Sequence, residues 1–277
     1  MINEEIFDEA LDEIIKHDDE VIVIYSGFSS SIHKFNFKVN SFKEIPARIL
    51  DIIESKINSK KILFFPSFTA NFHSKNNFFD VKLSIDNSNG ILSKLALKRN
   101  YYRTRQPVHS YLVFGNLKNF KKQKLVSSWG KNSILEFFSK SNARICNLGL
   151  EWNKGCAYLH RFEELYEVPW RYNKKITTTL LRNKKKIGSC YEIKYCSSSL
   201  RPLNYDYKPF IKEIENSASF CKSSNKLLKF ESVKTKCLNK IGKKIFSSNP
   251  WIIVRNKKTT LNWIKKEKAK ELHLLKN

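Results

Sequence analysis

The sequence lacks any uninterrupted apolar span of the roughly 20 residues that a membrane-crossing helix needs. That argues against a helical membrane protein. Its opening stretch, MINEEIFDEALDEIIKHDDE, is acidic where a secretory signal has a basic head and an apolar middle, so a cytoplasmic location is expected. The six cysteines, Cys146, Cys156, Cys190, Cys196, Cys221 and Cys237, form no CxxC pair and have no histidine cluster of zinc-site spacing beside them. Reduced thiols and no metal are the expectation. There is no internal repeat, and neither a zinc finger nor an RNP-type aromatic pair that would read a nucleic acid. Acidic residues are the scarce charge: 26 Asp and Glu stand against 51 Lys and Arg, a formal net charge of +25.

Such an excess of base suits phosphate. The lysines, however, are spread along the chain, with local runs at Lys174 and Lys175, at Lys184 to Lys186 and from Arg255 onward, and they accompany an excess of Asn, Ile and Phe. Dispersed charge of this kind is the mark of a solvated surface and of compositional bias. A specific nucleic-acid partner is not expected; small anionic ligands such as coenzyme A or nucleotide-linked sugars are favoured.

A chain of 277 residues, 41% of them hydrophobic, can bury the core of one large domain. VIVIYSGF and KILFFPSF read as buried strands, the second stopped by Pro66, and the apolar spacing of Ile45, Ile49, Leu50, Ile53 and Ile57 between them predicts a helix within 41–59. The start is βαβ-like, so an α/β sheet with covering helices is predicted. GILSKLALKRN reads as a helix capped around Asn87 to Asn89, and NSILEFFSKSN as one beginning near Ser133. SYLVFG and ARICNLGL read as strands, 183–196 as strand-like and basic, and 205–230 as helix and loop. A domain over 1–254 with a basic, helical tail over 255–277 is expected.

Directly after ARICNLGL lies GCAYLHRFEELYEVPWRY, which sets His160 and Glu163 one helical turn apart. A carboxylate on the same face can orient the imidazole of a general base. Cys156 is adjacent, either a nucleophile or a buried thiol. Trp152, Tyr158, Trp170 and Tyr172 either stack on a sugar ring or fill the core. Arg103 and Arg105, in the turn RTRQPVHS, either bind phosphates through paired hydrogen bonds or stay solvated.

The ordered series YSGFSS, PSFT at 66–69, Phe79 and Asp80, NGILSKLALKR, RTRQPVHSYLVFG, WGKNSILEFF, LGLEWNKGCAYLHRFEE and VPWRY resembles the aminoglycoside 3-N-acetyltransferase family, clearly over about 20–175. The resemblance implies an acetyl-CoA-dependent N-acetyltransferase whose mixed β-sheet is covered by helices on both faces, acting on an amine of an amino sugar or aminoglycoside. It puts the family's histidine at His160, as general base, and its carboxylate at Glu163. Ser26, Gly27, Phe28, Ser29, Arg103 and Ser110 are expected on the coenzyme and Asp80 and His109 on the amine substrate. One departure is Ala157, where many members carry threonine. Two alternatives stay open: an amino-sugar N-acyltransferase of surface-polysaccharide assembly, and an inactive basic binding protein of the same fold.

Overall fold

A computed structural model describes residues 1–28, 32–69, 78–84, 90–118, 120–152, 156–197 and 203–274. Its centre is three parallel strands, β1 (Val21–Ser26), β2 (Ile62–Pro66) and β6 (Arg144–Leu148), with β1 between the other two. On one side β5 (Tyr111–Gly115) runs antiparallel to β2 and carries β4 (Tyr102–Arg103); on the other, β10 (Phe230–Lys234) runs antiparallel to β6 and carries β9 (Cys221–Lys222). A second sheet joins β3 (Phe78–Asp80) to the long hairpin β7 (Arg171–Arg182) and β8 (Lys185–Ser197).

Successive side chains of a strand point to opposite faces. Val21, Val23 and Tyr25 therefore enter one core and Ile22 and Ile24 the other. Helices α1 (Glu4–Ile14), α2 (Ile45–Ser55) and α3 (Gly90–Lys98) cover the second face with Phe7, Leu11, Ile49, Ile53, Leu92 and Ala96. The first face is covered by α4 (Ile134–Lys140), α5 (His160–Leu165), α6 (Lys208–Glu215) and α7 (Thr235–Ser248). Ser133 caps α4, its hydroxyl accepting from Glu136 N–H. The predicted α/β sandwich with helices on both faces is thus the fold, and the sheet is mixed.

Three segments add to the sequence reading. The strand-like stretch at 183–196 is only the return arm of a hairpin whose first arm begins at Arg171, a polar strand with too weak an alternation to stand out. Its turn residues Asn183 and Lys184 have φ of 50° and 65°, the left-handed pair of a two-residue hairpin loop. The tail is helical, α8 (Lys257–Leu274), but its first turns lie on the core: Thr260 is buried and Ile264 packs against the first face. The expected cap around Asn87 to Asn89 lies outside the described residues.

Helix α7 meets α5 at Gly242, where a Cβ would stand 2.2 Å from the Phe162 ring. Alanine normally improves a helix interior. Here the ring has no room to retreat, being packed against Phe210 and Phe246. Gly242→Ala should lower stability by about 1–3 kcal/mol, the usual cost of overpacking, as read by urea denaturation; a more stable protein would refute the close contact.

Candidate active site

The site forms where the parallel strands end. The carboxyl ends of β1, β2 and β6 lie on one edge of the sheet, and Pro66 pairs with Tyr111, so His109 and Ser110, which lead into β5, arrive at the same edge. Ligand sites of open α/β sheets collect there. From β6 the chain passes to α5, which opens with His160.

His160 Nδ1 lies 2.6 Å from Glu163 Oε2. Glu163 is completely buried, and Trp170 Nε1–H donates to its Oε1 at 3.1 Å while Arg171 Nε stands 2.7 Å from Oε2. Burial alone would raise this carboxyl, but the His160 and Arg171 charges overcome it and hold it at about 2. An ionised Glu163 requires a hydrogen on His160 Nδ1, which leaves Nε2 as the basic nitrogen. Burial lowers His160 from 6.5; Glu163 pulls the other way, and Arg171 and His109 add to the lowering. The ring is neutral at pH 7, a quarter of its side chain is exposed, and Tyr205 and Tyr207 flank it.

His109 and His160 both pack against Trp129. The indole has His160 edge-on at 4.4 Å and His109 at 5.0 Å between ring centroids, and Arg161, next to His160, holds the Trp129 carbonyl at 2.8 Å. His109 has its own buried carboxylate: Nδ1 is 2.7 Å from Oε1 of Glu192, which also accepts from the Val108 and His109 N–H groups and the Ser128 hydroxyl. Glu192 reaches this point from β8, and Arg171 from the start of β7. The hairpin thus supplies both imidazoles with a charged neighbour.

Several expected ligands have other work. Arg103 is buried, donating to the carbonyls of Ser67 and Ser84 and to Ser110 Oγ, and its guanidinium lies over Phe79; it is not a surface arginine facing a phosphate. Ser110 is spent in the same network, its hydroxyl donating to Ser67 O. Asp80 is buried at the hairpin turn, where it accepts from the N–H groups of Lys82, Asn183 and Lys184. Ser26 closes β1 and Gly27 N–H donates to Leu148 O, both residues being partly exposed, and the Phe28 ring packs with Phe7, Phe35 and Phe230. Ser29 lies outside the described residues. Cys156 is buried and its thiol is pushed up to about 12, which removes it as a nucleophile at neutral pH. Trp152, Tyr158 and Trp170 fill the core, while Tyr172 is exposed. The described residues contain no cluster that could hold a metal ion.

Sequence reasoning passed over Trp129, Arg171, Glu192, Tyr205 and Tyr207. Glu192 carried a signal: it is the one acidic residue between Glu167 and Asp206, in a basic strand.

Residues 37–233 match the model of the aminoglycoside 3-N-acetyltransferase family. The chain belongs to that family. It is an N-acetyltransferase, and acetyl-CoA is its co-substrate. Solved structures with this fold include AAC-IIIb in binary complex with CoASH (14% identity, 85% of this chain and 92% of that one, TM-score 0.66). YokD from Bacillus subtilis (13%, 88% and 99%, 0.64) and AAC-VIa bound to sisomicin (11%, 86% and 94%, 0.65) are similar in the same way. No curated protein matches. In this N-acetyltransferase two imidazoles, His109 and His160, each keep a nitrogen that makes no hydrogen bond among the described residues.

Glu163→Gln would leave Arg171 buried beside a neutral amide. Breaking a buried pair in this way costs about 3–5 kcal/mol, which denaturant titration at pH 7 should show. The stability carried by Glu163 is fully present above 4.5 and is lost as the pH falls toward about 2. Acid unfolding of the variant should therefore be shallower across that window; an unchanged acid limb would place the stabilising charge elsewhere.

Proposed function

We propose that the enzyme acetylates an amine of an aminoglycoside or another amino sugar by direct transfer from acetyl-CoA, with His160 as general base and Glu163 as its positioning partner. The observation that carries this reading is the His160–Glu163 pair at 2.6 Å, whose buried carboxylate fixes the Nδ1–H tautomer. When bound, acetyl-CoA supplies the activated acyl carbon. His160 Nε2 takes the proton that the amine must shed to form the amide, and Glu163 balances the imidazolium that results. Arg171 and Trp170 keep the carboxylate in place. No acyl-enzyme is required, in keeping with the unreactive Cys156 thiol.

The site's charges bear on the acceptor. A polycationic drug needs unspent carboxylates, yet Glu163 is engaged by His160 and Arg171 and Glu192 by His109. This favours a second reading inside the same chemistry, an amino sugar with a single amine, as found in surface glycans and their precursors.

Free thiol released from acetyl-CoA, followed with a disulfide reagent across aminoglycosides and nucleotide-linked amino sugars, tests the reading. Turnover with neither group would sink it. His160→Ala should lower kcat by about 10²–10⁴, the usual share of a general base, with coenzyme affinity nearly unchanged. In the wild type the lowered His160 keeps the basic form dominant at pH 7, so the acid limb of kcat/KM should fall below 6.5. Glu163 raises His160, hence Glu163→Gln should move that limb to still lower pH while slowing the reaction. A limb moving upward would contradict the assignment.

A further inference from the structure

The second imidazole has no part in the mechanism above, although it packs on the same indole ring as the base. Its surroundings differ in a way that matters for protons. Glu163 is shared between His160 and Arg171, and burial, with Arg171 and His109 adding to it, outweighs Glu163 and lowers His160 from 6.5. Among the described residues Glu192 pairs with His109, and its other partners are the Ser128 hydroxyl and two backbone N–H groups. The Glu192 carboxylate thus holds His109 Nδ1 at 2.7 Å and fixes which way the ring faces. Each imidazole has a buried carboxylate on its Nδ1, and in each the Nε2 makes no hydrogen bond among the described residues.

Amide formation from a thioester needs both operations. As the new C–N bond forms the amine nitrogen loses a proton, and as the C–S bond breaks its electron pair leaves on sulfur, which must gain one. Resting on His160 as the base, we propose that His109 is the acid of the reaction, its Nε2–H protonating the departing coenzyme A thiolate. His160 accepts one proton from nitrogen and His109 gives one to sulfur. The sum is R–NH₂ plus the acetyl thioester going to amide plus thiol, after which His160 loses its proton to solvent and His109 regains one. Glu192 is a positioning residue that fixes the His109 tautomer from β8.

The dependence on leaving group separates this role from a structural one. With hydroxylamine as acceptor, small enough not to depend on the acceptor proposed above, His109→Gln should slow turnover of acetyl-CoA by about 10- to 100-fold, within the range of acid–base catalysis. With the acetyl thioester of 4-nitrothiophenol, whose thiolate leaves unaided, the same variant should approach the wild-type rate, whereas His160→Gln stays slow with both donors. Equal loss with both donors, or no loss with either, overturns the proposal. Two readouts need no turnover. Ultraviolet titration of bound CoASH should show about tenfold less thiolate at a given pH in His109→Gln, one unit in its pKa. In the unaltered protein, NMR of the ring nitrogens should show His109 responding to CoASH, and an unmoved His109 resonance at saturation would refute the contact even if the variant fails to fold. Failure on every amino sugar with hydroxylamine turnover intact would remove the proposed acceptor class and leave this inference standing.

Discussion

The arrangement depends on one carboxylate that is denied water. Removing an ion from solvent costs several kcal/mol, and the cost is offset only if charges and hydrogen bonds close around it. Glu163 is closed around by the imidazole one turn earlier, the Trp170 indole and the Arg171 guanidinium. These partners belong to three consecutive pieces of chain: helix α5, the link after it, and the first residue of β7. One charge thus sets the orientation of the base and fixes where the long hairpin begins.

From that origin the hairpin crosses the front of the site. Ser128 N–H donates to Ile193 O and Ile193 N–H to Val126 O, so β8 is stitched to the segment that carries Trp129. Trp129 is in turn held from below by Arg161. The two histidines, from the turn before β5 and from α5, are distant in sequence and share this single aromatic wall. Helix, turn and hairpin are each incomplete as a site, and packing against one indole unites them.

Much of this was legible in the chain. The buried strands β1, β2, β5 and β6 announced themselves as short apolar runs, and α2 by its spacing, because both faces of the sheet are covered and the strands carry few polar residues. His160 with Glu163 was readable because helix geometry makes three residues a local distance. Arg103, Ser110 and Asp80 have structural hydrogen bonds that the sequence did not show, for a common reason. A motif tells which residues a fold needs without distinguishing ligand binding from the bracing of a turn, and all three brace turns. Glu192 and His109 could not be joined from sequence, since their contact spans a strand register that only the folded hairpin defines.

The hairpin's bulge between Leu180 and Leu181 has a consequence for how this architecture can change over generations. Arg171 and Glu192 sit toward the open end, while the bulge and the Asn183–Lys184 turn lie toward the tip. Strand side chains alternate, so a single residue inserted into β8 next to Glu192, away from the bulge, would swing the carboxylate to the opposite face. A residue gained at the tip is absorbed by the bulge. Lineages built on this frame are therefore free to lengthen or trim the ribbon's tip, and bound to alter its base two residues at a time.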